Sequence, residues 1–114
     1  YHPECLVNLA DGRCLPPTPA GLGAEVYAVA GIGHPEYFAR TLRELGFRPE
    51  LVSFPDHHDF RPSDLAGLED RPIIMTEKDA VKCAPFAGGD AWSLRIRARV
   101  PDAVVDAVTA LAEN

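Results

Sequence analysis

The sequence predicts an α/β domain with three layers and a Rossmann-like fold. Apolar strand patterns alternate with helical patterns along most of the chain, as they do in parallel sheets whose strands are joined by crossover helices. The chain has 114 residues, of which 46% are hydrophobic, so it can bury a core without disulfides or metals. We expect one α/β domain over residues 26–114, preceded by a short hairpin linker over residues 1–25.

Residues 1–25 carry turn signals in place of the regular alternation. Asp11-Gly12 supplies the positive φ angles of a tight turn between two short apolar runs, which predicts a β-hairpin. The three prolines between positions 16 and 19 cannot continue a central strand, because each removes a donor from the sheet ladder. An isolated two-stranded ribbon is marginally stable in water, so we expect this hairpin to be a connector packed against another element. A disordered chain end explains residues 1–25 equally well.

Four strands are predicted after the hairpin. They are Val26–Ala30, Glu50–Phe54, Arg71–Met75 and Trp92–Val100. The first is apolar almost throughout, as expected of a strand covered by helices on both faces. The last alternates apolar residues with Arg95, Arg97 and Arg99, so we place it at an edge of the sheet. The prediction is a mostly parallel sheet of four strands in the order 2-1-3-4.

Each predicted strand is followed by a helical pattern. Pro35 suits a first helical position and Gly46 suits the residue after a helix, so the first helix lies between them. Thr76 begins a later helix in the [ST]-x-x-[DE] capping pattern, which Asp79 completes. The other two helices are predicted over residues 63–68 and 102–112.

The loops after the first three strands carry the candidate functional residues. Carboxyl ends of parallel strands meet at one edge of a sheet, so these loops are expected to lie together in what we call the loop rim. Its three segments are Gly31–His34, Asp56–His58 and Thr76–Asp79. This convergence of distant segments is the main structural indication of a site.

The segment Asp56-His57-His58 allows three interpretations, namely a catalytic histidine, a metal site, and a polar loop with a helix cap. Flanking carboxylates can orient an imidazole, which favours a catalytic histidine. A metal-dependent phosphoesterase of the Asp-His-His type needs further aspartates from neighbouring strands. The first strand ends in Gly-Ile-Gly, which offers no carboxylate, so no metal ligands are assigned.

The other two loops could contact an anion. The amides of Gly31 and Gly33 lie at a helix start, although a tight turn explains both glycines without any ligand. Lys78 opposes the helix dipole in the first turn of its helix, which makes it the residue of its motif most indicative of function. A solvated face shared with Lys82 would also explain Lys78. A non-enzymatic Rossmann-like module that binds a small anion or has a regulatory role therefore remains an alternative.

Charge and composition exclude several classes of function. The net charge of −6 argues against nucleic acid as a partner, because binding to phosphate backbones needs clustered Lys and Arg. The three cysteines show no C-x-x-C spacing, so neither a zinc knuckle nor a disulfide framework is indicated.

The stripe of Arg95, Arg97 and Arg99 is either a solvated face or a surface for anionic headgroups or a phosphorylated substrate.

Three runs of sequence closely resemble the C-terminal domain of the tetraacyldisaccharide 4'-kinase family, the lipid A 4'-kinases of Gram-negative bacteria. The runs are VAGIGHPEYF over residues 29–38, PDHH over residues 55–58 and MTEKDAVKC over residues 75–83. The resemblance implies a P-loop kinase of two domains that uses ATP and Mg²⁺. The implied reaction transfers the γ-phosphoryl group of ATP to the 4'-hydroxyl of tetraacyldisaccharide 1-phosphate, at the cytoplasmic face of the inner membrane.

The pattern G-x-x-x-x-G-K-[ST] occurs nowhere in the 114 residues. The resemblance therefore implies that ATP and Mg²⁺ are held mainly by an N-terminal domain joined through residues 1–25, and that this chain alone is inactive and binds no cofactor tightly. It also implies a catalytic histidine that works with an aspartate of that domain. The family's Asp-His motif falls on His57, with Asp56 and His58 in support. The implied partners are that domain, the lipid substrate and a membrane surface.

Overall fold

The computed structural model describes residues 2–97, which form a mixed six-stranded sheet with helices on both faces. The predicted helix over residues 102–112 lies outside the described residues. In chain order the elements are β1 His2–Asn8, β2 Cys14–Leu15, α1 Pro19–Leu22, β3 Glu25–Ala30, α2 Pro35–Glu44, β4 Arg48–Ser53, α3 Pro62–Leu65, β5 Ile73–Thr76, α4 Glu77–Cys83 and β6 Ala91–Arg97.

The strands lie side by side in the order β2-β1-β6-β5-β3-β4. The pairs β3 with β4, β3 with β5 and β5 with β6 are parallel, whereas β1 is antiparallel to both β2 and β6. The four parallel strands have the neighbours that the order 2-1-3-4 assigns to them. The prediction of a four-stranded sheet is nevertheless wrong in number, because the two hairpin strands extend the same sheet.

The predicted edge position of β6 is also wrong. β1 runs along β6 from His2 opposite Arg97 to Asn8 opposite Trp92. The pairing gives partners to backbone groups that an edge strand leaves open. The alternation of basic and apolar residues in β6 therefore reflects a strand whose last residues become exposed, not a sheet edge. That residues 1–25 also link the chain to another domain stays a prediction.

Strand β3 lies at the centre of the core. One set of alternate β3 residues packs on the face of the sheet that Phe38 and Leu42 of α2 cover. The other set packs on the face that Leu65 of α3 and Cys83 of α4 cover. The first set is Val26, Ala28 and Ala30, and the second is Tyr27 and Val29. This division gives the three layers and leaves the carboxyl end of β3 free to carry a loop.

The helix ends follow local signals closely. α2 begins at Pro35 as predicted, and Gly46 follows it at a φ of 105°, a conformation that a residue with a Cβ adopts only under strain. α4 begins after Thr76, whose hydroxyl accepts from the Asp79 N–H at 3.3 Å. α3 ends at Leu65, earlier than predicted.

Candidate functional site at the loop rim

The three loops of the loop rim meet at Gly31. Its N–H donates to Asp79 Oδ2 over 2.8 Å, which joins the first loop to the third. A Cβ at Gly31 would lie 3.1 Å from two ring atoms of Phe60, which follows the second loop. The convergence predicted from the parallel sheet is therefore present, and it depends on a residue without a side chain.

Asp56 is a second point of convergence. Its Oδ1 lies 3.7 Å from Lys78 Nζ, and its Oδ2 lies 3.7 Å from His57 Nε2. The same Oδ2 lies 3.7 Å from the position that a Cβ would take on Gly33. Asp56 and Lys78 are about half exposed, so their ion pair contributes little stability and remains accessible to a ligand.

His57 combines an unusual backbone with an exposed side chain. Its φ is 63°, and no other non-glycine residue among residues 2–97 has a positive φ. The side chain is 80% exposed. Left-handed backbone at a residue with a Cβ costs free energy and occurs more often at functional sites than elsewhere. The observation makes His57 the leading candidate of the loop rim.

His58 faces a different environment from His57. Its Nε2 lies 2.9 Å from Asp64 Oδ2, and because an ionised carboxylate only accepts, the imidazole is the donor. The ring stacks on Phe54 at 4.7 Å between centroids and meets Phe60 edge-on at 4.9 Å. Lys82 Nζ donates to the His58 carbonyl at 3.3 Å. His58 therefore packs the second loop against the domain.

The residues predicted to contact an anion also differ in their surroundings. The Gly31 amide donates to Asp79 in this structure, and its contact with an anion stays a prediction. The contacts of Gly33 and Lys78 with an anion likewise stay predictions. The sequence did not indicate the contact between Asp79 and Gly31, because the capping pattern accounts for Asp79 locally.

The Asp-His-His segment does not provide the donor set of a metal site. Asp56 faces the Lys78 ammonium group, which would repel a cation there, while His58 is committed to Asp64. Among residues 2–97, no group of three or more His, Cys, Asp or Glu side chains could hold a metal ion. The described residues thus fit neither Mg²⁺ nor the two metals of an Asp-His-His phosphoesterase.

At least one arginine of the predicted stripe already has a partner within the sheet. Arg97 forms an ion pair with Glu4 of the neighbouring strand β1. Arg99 lies outside the described residues. Contact of this stripe with headgroups or a phosphorylated substrate stays a prediction. No helix within residues 2–97 has both the length and the apolar character needed to cross a membrane.

Asp64 gives the second loop a testable sensitivity to acid. The Arg61 N–H and the His58 imidazole both donate to its carboxylate, and these bonds hold the pKa of Asp64 below its ordinary value. A lowered folded-state pKa adds stability above the unfolded-state pKa of about 4, and this stability is lost as the pH falls through the folded-state pKa. We expect urea titrations to show a loss of stability below about pH 4. Asp64→Asn should flatten this dependence, and an unchanged slope would contradict it.

The fold and the loop rim define the class of protein: an α/β domain with a candidate site at the carboxyl ends of its parallel strands. Residues 3–113 match the family model described as Tetraacyldisaccharide-1-P 4'-kinase. The chain therefore belongs to the tetraacyldisaccharide 4'-kinase family, which confirms the resemblance seen in the sequence.

Individual relatives agree with the family model. The chain is 45% identical over 106 residues to the tetraacyldisaccharide 4'-kinase of Alcanivorax borkumensis, an alignment that covers 92% of this chain and 32% of the relative. It is 54% identical over 77 residues to that of Alkalilimnicola ehrlichii, covering 68% of this chain and 23% of the relative. The chain thus spans less than a third of the length of these relatives.

A solved structure has the same fold. It is the crystal structure of the "apo" form of LpxK from Aquifex aeolicus in complex with ATP, which is similar to this chain with a TM-score of 0.64 and 30% sequence identity. The similarity covers 82% of this chain and 28% of that one. It supports the α/β architecture over most of the described residues.

Proposed function

We propose that this chain is the C-terminal domain of a tetraacyldisaccharide 4'-kinase. The full-length protein transfers the γ-phosphoryl group of ATP to the 4'-hydroxyl of tetraacyldisaccharide 1-phosphate, at the cytoplasmic face of the inner membrane. Family membership and the ATP bound to the Aquifex aeolicus relative support this reaction. The short coverage of the relatives, and the lack of a P-loop pattern here, support an N-terminal domain that holds ATP and Mg²⁺.

His57 is the catalytic residue that we assign to this domain. Phosphoryl transfer depends on positioning and on charge stabilisation, with a base or orienting group at the attacking hydroxyl. The observation that carries the assignment is the exposed imidazole of His57, held in left-handed backbone at the loop rim. An exposed ring can reach a hydroxyl bound by a second domain, and Asp56 at 3.7 Å can orient it. His58 supports the site through stability alone, because its hydrogen bond to Asp64 packs the second loop against the domain.

Lys78 is the cation that we assign to a phosphate of ATP or of the lipid. The Lys78 side chain is about half exposed, and its ammonium group pairs with Asp56. We expect Lys78→Gln in the full-length protein to raise the KM for one phosphorylated substrate about five- to tenfold, roughly the 1 to 1.4 kcal/mol of a single ionic contact. The melting temperature should hardly change, because exposed ion pairs contribute about 0 to 1 kcal/mol.

Arg40→Gln is the matched control for Lys78→Gln. Arg40 forms an exposed ion pair with Glu44 within α2, so its removal changes the net charge equally without touching the loop rim. Both KM values should stay within twofold of the parent protein. Unchanged KM values for ATP and lipid in Lys78→Gln would remove Lys78 from the site.

The proposed function is tested by incubating the full-length protein with radiolabelled ATP, Mg²⁺ and tetraacyldisaccharide 1-phosphate. The expected product carries the label at the 4' position, and its formation should depend on His57. Absence of lipid phosphorylation by a folded, ATP-binding preparation would overturn the proposal. The 114-residue chain on its own should give no product, and product formed by that chain would contradict the assignment of ATP binding to another domain.

A further inference from the structure

Asp79 is the most completely buried charged residue in the described part of the chain. Its exposed fraction is 0%, and it is the one acidic or basic residue classed as buried between residues 2 and 97. Its Oδ2 accepts from the Gly31 N–H at 2.8 Å and from the Thr76 hydroxyl at 3.2 Å. Its Oδ1 is buried and has no hydrogen-bond partner among these residues. A buried carboxylate of this kind needs an explanation.

The start of α4 does not explain Asp79. In a capping box the acidic side chain bonds to the backbone N–H of the cap residue. Here the carboxylate reaches Gly31, which lies 48 positions earlier in another loop. An unpaired buried oxygen also costs stability, so a helix cap alone would be better served by a smaller or neutral residue. The contact with Gly31 is the distinctive feature.

That contact fixes the two loops on either side of Asp56. Lys78 directly precedes Asp79, and Gly33 lies two residues after Gly31. The Asp56 carboxylate lies 3.7 Å from Lys78 Nζ and 3.7 Å from the Cβ position of Gly33. Asp56 in turn lies next to His57. The bond between Asp79 and Gly31 therefore sets the width of the space that Asp56 occupies.

We propose that Asp79 is a positioning residue for the phosphoryl transfer. By joining the turn after β3 to the start of α4, it sets the position of Asp56 and, through Asp56, that of the His57 ring. The Asp79 side chain is fully buried and so is inaccessible to a substrate. Groups that hold a reacting side chain within a fraction of an ångström have large effects on rate although they lie outside the site. This inference rests on the proposed function.

The test compares Asp79→Ala with Asp79→Asn in the full-length protein. Asparagine keeps an oxygen that can accept from Gly31 and Thr76, whereas alanine removes it. We expect Asp79→Ala to lower kcat about tenfold or more while the KM for ATP stays within twofold, and Asp79→Asn to restore most of kcat. A kcat within twofold of the parent protein for folded Asp79→Ala would overturn the proposal.

Asn8→Ala is the matched control. Asn8 is also buried, and its side chain also bridges distant segments by donating to the Gly89 carbonyl at 2.8 Å, but it lies near the start of β6 rather than at the loop rim. Its loss should lower the melting temperature and leave kcat per folded molecule within twofold. A tenfold loss of kcat in Asn8→Ala would show that any weakened fold slows the reaction, which also overturns the proposal.

A double variant separates positioning from a general effect on the fold. If Asp79 acts through His57, the kcat of His57→Ala/Asp79→Ala should lie within about twofold of His57→Ala alone. Multiplication of the two losses would overturn the inference while leaving the proposed function intact. A normal kcat for His57→Ala would instead reject the catalytic role of His57.

Asp79→Glu is the substitute variant if Asp79→Ala is insoluble. The longer side chain pushes the two loops apart, so kcat should show the same tenfold loss. A kcat within twofold of the parent protein would overturn the proposal.

Discussion

His57→Gly is expected to make the protein more stable and much slower. Glycine adopts positive φ without steric cost, whereas a residue with a Cβ costs roughly 1 to 2 kcal/mol in left-handed backbone. Since the φ of His57 is 63°, its replacement should raise the free energy of unfolding by about 1 kcal/mol. In the full-length protein the same change removes the imidazole and should lower kcat by about 10²-fold or more. Urea denaturation and steady-state kinetics measure the two effects.

His57→Ala separates the backbone effect from the chemical effect. Alanine keeps the Cβ and therefore the strain, so its stability should stay close to that of the parent protein while kcat falls as in His57→Gly. His2→Ala is the control for loss of an exposed histidine, because His2 lies on β1 opposite Arg97 and should affect neither property. Lower stability in His57→Gly, or unchanged kcat in both variants, would contradict this account of the residue.

His58→Ala is expected to lower stability and to leave kcat nearly unchanged, which is the opposite of His57→Gly. It removes a stacked ring and a charge-assisted hydrogen bond to Asp64, each worth about 1 to 2 kcal/mol when partly buried. The free energy of unfolding should fall by about 2 to 4 kcal/mol, while kcat per folded molecule should stay within about threefold because the His58 ring bonds to Asp64. Denaturation curves and kinetics normalised to folded protein give the comparison.

A double-variant cycle with Asp64 checks the origin of that loss. His58 and Asp64 share one hydrogen bond, so Asp64→Ala should cost much less stability in a His58→Ala background than in the parent protein. Fully additive losses would show that the bond contributes nothing. A kcat loss in His58→Ala equal to that in His57→Ala would contradict the separate roles of the two histidines.

Much of the fold followed from local signals. Pro35, Gly46 and Thr76 each determine the backbone within their own turn, so the ends of α2 and the start of α4 could be predicted from neighbouring residues alone. The pairing of β1 with β6 could not, because it joins residues about 90 positions apart and β1 carries no signal that selects its partner. The arginines that alternate with apolar residues along β6 suggested an edge strand, but β1 pairs with β6.

The sequence predicted the location of the candidate site, but it did not predict how the residues there are arranged. Parallel topology brought Asp56, Lys78 and Gly33 to one rim, as the sequence indicated. His57 and His58 also differ in backbone conformation, and no local sequence pattern reveals the positive φ of His57. Asp79 was hidden for a similar reason, because a local cap pattern explained a residue whose main contact is Gly31.

The exposure of His57 is consistent with a domain that supplies one part of an active site. The ring is open to solvent here, and phosphoryl transfer requires that water be excluded and the nucleophile be aligned. Closure of this domain on a nucleotide-bearing domain would meet both needs, as lids do in other enzymes. We therefore expect His57 to become protected from chemical modification when the full-length protein binds both substrates.

The central claim is that His57 acts in the chemical step. The most direct measurement is the single-turnover rate of phosphoryl transfer by the full-length protein and by His57→Ala, with saturating ATP and lipid, since this excludes product release. Removal of a general acid–base group lowers such rates by about 10²- to 10⁴-fold, and we expect a loss in that range. A loss smaller than about tenfold in a folded variant that binds both substrates would contradict the claim.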